Sequence, residues 1–78
     1  MYEDAAERVV GWVRQDAGKH SRTDLVRLLR ESYISEGAGD INIPGARAVV
    51  DSLIESGRIR ESVYFSAFGM VDKRCYPV

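Results

Sequence analysis

Cysteine, histidine and tryptophan occur once each in this 78-residue chain, and proline and methionine twice. Neither sign of charge dominates, because 11 Lys+Arg stand against 12 Asp+Glu for a formal net charge of −1. A single thiol, Cys75, excludes an intrachain disulfide and is read as a small buried hydrophobe in a strand. With His20 as the only histidine, neither a metal cluster of the usual ligand spacing nor a nucleophile–base pair can be assembled. No catalytic residue, metal site or cofactor is therefore expected. Gly18-Lys19-His20-Ser21 is not the end of a phosphate loop, since His20 separates the Lys from the Ser and Val13 occupies the leading glycine position. Gly37-Ala38-Gly39 likewise lacks a third glycine, so both are loop glycines.

Long apolar runs are also missing. The longest spans a handful of residues, against the roughly 20 needed to cross a bilayer, so no membrane segment is expected. The first thirty residues lack the basic, apolar, small-residue order of a signal peptide, and a reducing, cytoplasmic setting is the expectation.

What is present suits one small domain over residues 1–78, with 45% hydrophobic and 29% charged residues. Such a chain buries only about 60% of its extended surface, so it needs good packing or a partner. The near-neutral total hides alternation: residues 1–16, 17–33, 34–57 and 58–78 carry −2, +2, −3 and +2. Whether the two basic segments meet in space becomes the question for any polyanion partner.

Hydrophobic period divides the chain into three helical stretches and a strand-like tail. From Tyr2 to Ala17, Ala5, Ala6, Val9, Val10, Val13 and Ala17 recur at helical spacing, with Glu3, Asp4 and Glu7 in the first turn, and Gly18 ends the stretch. Ser21 and Asp24 form a capping-box pattern opening a second helix to about Ser32 or Tyr33, with Leu25, Val26, Leu28 and Leu29 inward. After a connection of about ten residues, longer than the 3–4 of a helix-turn-helix turn, Pro44 opens a third helix to Ser56. Ala46, Val49, Val50, Leu53 and Ile54 form its inner stripe, Arg47, Ala48, Asp51, Ser52 and Glu55 its outer face, and Gly57 its stop.

Beyond Gly57 the period changes to two. Arg58 to Ser66 and Met70 to Val78 read as strands joined by Ala67-Phe68-Gly69, with Gly69 left-handed in a bulged turn. That loop pairs Ser66 with Met70 and Phe65 with Val71, placing Ile59, Val63, Phe65, Val71 and Cys75 on one face. Arg60, Ser62, Tyr64, Asp72, Arg74 and Tyr76 fall on the other. A short third strand is expected near Lys19–Ser21 or Ile41–Ile43. Phe68, at the turn apex, is expected to be exposed.

Three helices and then a hairpin, with Leu53-Ile54-Glu55-Ser56-Gly57-Arg58-Ile59-Arg60-Glu61 at the helix exit, resemble the winged helix-turn-helix family of small DNA-binding regulators over nearly the whole chain. The resemblance implies an α+β, mainly α fold, a three-helix bundle with a C-terminal two-stranded β-hairpin wing. It implies a third helix in the major groove, a second-helix start on phosphate and a wing along the backbone. Carried onto this sequence, those roles fall on Arg22, Arg27, Arg47, Ser52, Arg60, Phe68, Lys73 and Arg74, against double-stranded DNA. The family's habit of dimerising through its first helix points to Tyr2 and Trp12, extended by Tyr33, as a homodimer interface.

The function implied is a small DNA-binding transcriptional regulator or accessory factor. The alternative is a protein-interaction winged helix whose acidic third helix and wing dock on a protein partner without nucleic acid. Its support is the −3 charge of residues 34–57, which holds the very helix the family places in the groove.

Overall fold

A computed structural model describes residues 4–37, 41–65, 67–69 and 71–78, the Tyr64 side chain excepted. Three helices, α1 (Ala5–Gln15), α2 (Arg22–Ser35) and α3 (Ile43–Glu55), precede two strands, β1 (Ile59–Phe65) and β2 (Val71–Pro77). The strands form one antiparallel two-stranded sheet, so the layout is that of a winged helix.

Helix α1 is shorter than its apolar period suggests. The Asp16 N–H still bonds the Trp12 carbonyl, but Asp16 itself leaves the helical conformation, and Ala17 sits exposed in the turn instead of on the apolar stripe. Gly18 is left-handed with φ +77°, yet it does not stop the helix: its N–H donates to the Cys75 carbonyl at 2.9 Å. Asp4 occupies the N-cap position without a side-chain cap. Its carboxylate accepts instead from Arg8 Nε at 2.8 Å and from the Tyr33 hydroxyl, fastening the start of α1 to the end of α2.

The capping box at α2 is present in both directions. Ser21 Oγ accepts from the Asp24 N–H and Asp24 Oδ2 from the Ser21 N–H. These satisfy two of the donors that a helix start leaves open. Helix α2 runs two residues past Tyr33, to Ser35, which shortens the connection to α3 to residues 36–42. Ile41 in that connection is buried and its carbonyl accepts from Arg30 Nε at 3.1 Å. Helix α3 starts one residue early, because Asn42 Oδ1 caps it by accepting from the Gly45 N–H at 2.7 Å. It ends in a Schellman arrangement, with the Gly57 N–H on the Ile54 carbonyl and the Arg58 N–H on that of Leu53.

The core lies where the three helices meet the base of the hairpin. Val9 and Val13 of α1, Leu25 and Leu29 of α2, Ala46, Val50 and Leu53 of α3, and Ile59 and Cys75 of the strands are buried together. Each element brings one stripe, and truncating a residue such as Leu29 to Ala should cost about 3 kcal/mol.

The sheet has the register expected for the bulged loop: Phe65 opposes Val71, Val63 opposes Lys73 and Ile59 opposes Pro77. The Ser66–Met70 pair lies outside the described residues. Of the expected face, only Ile59 and Cys75 reach the core, because the hairpin projects past the bundle. No third strand forms among the described residues. The segment before α2 nevertheless flanks β2, since the Cys75 N–H donates to the His20 carbonyl at 2.8 Å and Gly18 reaches back to Cys75. No described helix is long and apolar enough to cross a membrane.

Candidate functional site

The two basic segments do meet, but they meet through carboxylates. Arg22, at the first turn of α2, donates from Nε to Glu61 Oε2 at 2.7 Å, from Nη2 to Glu61 Oε1 at 2.9 Å, and from Nη1 to Asp51 Oδ1 at 2.9 Å. One guanidinium thus ties α2, α3 and β1 together. The bond from Arg22 holds the Glu61 carboxyl below its ordinary range, against an opposing push from burial. Arg22 is shifted up chiefly by the same hydrogen bond.

Arg74 is engaged in the same way. Its Nε donates to Asp72 Oδ2 at 2.9 Å and its Nη1 to the Lys19 carbonyl at 3.0 Å, with Asp24 a further 3.9 Å ion-pair partner. These bonds anchor β2 to the turn before α2. Arg27 makes a loose pair with Asp24 at 3.5 Å and is otherwise exposed. The cleft between the α2 start and the wing, about 350 Å³, is lined by Ser21, Arg22, Thr23, Glu61, Asp72 and Lys73. Where the resemblance puts phosphate, two carboxylates therefore stand beside two cations.

Arg47, Arg60 and Lys73 are exposed and make no ion pair among the described residues. Asp51 faces Arg22 across the helix interface and not Arg47 one turn away. The Arg60 guanidinium lies 5.9 Å from the centre of the Tyr76 ring. Ser52 is exposed on the outer face of α3.

Trp12 is half-buried against the core, whereas Tyr2 lies outside the described residues. Tyr33 corrects one expectation, for it is buried and extends no outer surface. Its hydroxyl bonds Asp4 and the Arg8 guanidinium covers its ring at 4.5 Å. Burial, then the adjacent Asp4 carboxylate, pushes the Tyr33 hydroxyl up to about 12.

Two apolar surfaces were not read from the sequence, although Phe68 in the first was expected to be exposed. On the outer half of the hairpin, Val63, Phe65, Phe68 and Val71 remain 49%, 72%, 91% and 58% exposed. Between α2 and α3 a groove of about 370 Å³ is lined by the apolar Val26, Ile34 and Ile43 together with Arg27, Arg30 and Arg47. Alternation placed the hairpin residues on one face but could not say where the core ends. Ile34 and Ile43 stood outside the assigned helices, so no helical face was read for them.

No group of three or more His, Cys, Asp and Glu among the described residues is placed to hold a metal ion. Comparison with protein-family models, curated proteins and solved structures finds no match to this chain.

Proposed function

We propose that this chain is a protein-interaction winged helix that docks on a protein partner through the outer half of its hairpin. The observation that carries the reading is the exposure of Val63, Phe65, Phe68 and Val71 on a projecting two-stranded sheet. Val63, Phe65 and Val71 share one face by register, with Lys73 opposite Val63 on that face, and Phe68 is exposed in the loop at the tip. Contiguous apolar surface of this kind costs solubility unless something covers it, and it suits an apolar protein surface better than a phosphate backbone. On the exposed face of α3 Arg47 stands with Glu55, while Asp51 is tied to Arg22, so that face adds little attraction for nucleic acid. The reading assigns a binding role and no reaction, and a reducing cytoplasmic setting suits the lone buried thiol.

A second reading, binding of double-stranded DNA, is favoured by Arg47, Arg60 and Lys73, whose charges no described carboxylate neutralises within ion-pair distance. One pair of experiments separates the two. A photo-cross-linking residue placed at Phe68 should capture one protein in cells, and Phe65→Ser should abolish that capture, while the same probe at Arg14 captures none. Random duplex titrated at two salt concentrations should show no binding at about 10 µM protein and low salt, where nonspecific affinity would be visible. Salt-sensitive duplex binding lost on changing Arg47, Arg60 and Lys73 to Ala would overturn the protein reading in favour of DNA.

A further inference from the structure

The large exposed apolar side chains fall into separate groups, and those of the hairpin account for only one. Ile34, at the end of α2, and Ile43, at the start of α3, are 57% and 50% exposed and both line the groove. Along α2 the groove is walled by Thr23, Val26, Arg27, Arg30 and Ile34, which recur every three or four residues and so occupy one helix face. That row is about 16 Å long at 1.5 Å per residue, the length of three turns of a docked helix. Ile43 and Arg47, one turn apart, form the opposite wall.

The charge on the rim is one-sided. Arg27, Arg30 and Arg47 border the groove, and Glu31 is the one carboxylate lining it among the described residues. Arg27 holds Asp24 at only 3.5 Å, and Arg47 has no ion pair among the described residues. Arg30 bonds the Ile41 carbonyl from Nε, which fixes the guanidinium at the rim. Apolar lining residues set among three arginines are the complement of a helix with one apolar stripe flanked by carboxylates. Duplex DNA would leave Ile34 and Ile43 facing phosphate. The exposed residues of α1, Glu7, Gly11, Arg14 and Gln15, offer no large apolar side chain, so that helix of a second copy does not fit.

We infer that the α2–α3 groove receives an acidic amphipathic helix of a partner protein. This surface lies beyond the hairpin docking proposed above and shares none of its apolar residues, so either can fail alone. A single partner could engage both.

The test uses the full chain and a capped synthetic peptide of about 16 residues, with Leu at i, i+3, i+4 and i+7 and Glu on both flanks of the stripe. In ¹⁵N-labelled protein the amides of Val26, Arg27, Ile34, Ile43 and Arg47 should shift on titration, and added salt should weaken the binding. Arg27→Glu combined with Arg47→Glu should lower affinity at least about tenfold, the scale of two exposed charge reversals. Ile34→Ser, at a half-exposed site, should weaken binding severalfold with the thermal midpoint kept as a folding control.

Three results would overturn the inference: no shifts at about 1 mM peptide and low salt, shifts confined to Val63, Phe65 and Val71, or equal binding by a permuted peptide of the same composition. The second of these would leave the hairpin proposal standing. A fourth result, displacement of the peptide by duplex DNA at the same amides, would also overturn it by reassigning the groove to phosphate.

Discussion

Arg22 closes a two-pronged bridge onto Glu61, at 2.7 and 2.9 Å, across 39 residues of chain. With the third bond to Asp51, it sets the angle between the wing and the helices. A planar guanidinium can hold two carboxylates in this way where an ammonium would not.

The bridge makes stability depend on pH with a definite sign. The Glu61 carboxyl is lower in the folded chain than its ordinary value of 4.5, mainly through Arg22. Its stabilisation is therefore present above that ordinary value and is lost as pH falls through the folded one. Asp4 is lowered too, chiefly by the Tyr33 hydroxyl and then by Arg8, so it adds loss of the same sign. Urea midpoints should fall from pH 7 to pH 3, and Glu61→Gln should both cost about 1–2 kcal/mol at pH 7 and flatten that fall. An unchanged slope in the variant would refute the assignment.

Gly18 offers a test of close approach. A Cβ there would lie 2.8 Å from Tyr76 Cε1, and its φ of +77° disfavours any side chain. Gly57 has a similar φ of +79° with nothing within 4 Å of a Cβ. Gly57→Ala should cost about 1 kcal/mol from backbone conformation alone, and Gly18→Ala about 2 kcal/mol because Tyr76 must also move. Equal losses in denaturant titration would mean that Tyr76 yields freely.

Cys75 should behave as a structural thiol. It is buried, burial pushes its pKa up, and its backbone bonds the His20–Gly18 turn on one side while its strand pairs β1 on the other. Alkylation at pH 8 should be slow in native protein and rapid in urea, with a rate that follows global unfolding. Rapid labelling of folded chain would show that the base of the hairpin opens independently.

Residues of the hairpin tip should matter little to folding. Phe65→Ser and Phe68→Ser should each shift stability by less than about 0.5 kcal/mol, whereas Leu29→Ala should lose about 3 kcal/mol. Thermal melts of the three variants check the contrast. A loss at Phe68 comparable to that at Leu29 would show that the tip packs as core and remove it as a docking surface.

Some of this was legible in the chain. Ser21 and Asp24 marked the α2 start because a capping box is local, closed within four residues. Gly69 and a three-residue loop fixed the hairpin register, since a turn dictates the pairing that follows it. The element order, the inner stripe of α3 and the exposure of Phe68 came from period and turn chemistry alone. Helix ends were less legible at Ala17 and Ser35, where the decisive bonds run to other elements or to the end of the turn.

The candidate site divides along the same line. Sequence by itself determined which residues carry charge and that the basic segments alternate with acidic ones. Only the tertiary structure decided that Arg22 bonds two carboxylates and Arg74 a backbone carbonyl, because their partners Asp51, Glu61 and Lys19 lie 29, 39 and 55 positions away. It also decided where the core stops along the hairpin, leaving Val63, Phe65 and Val71 in water although they alternate as Ile59 does. Periodicity reports which side chains share a face. What covers that face depends on how far the helices reach, and that is set by packing among all five elements.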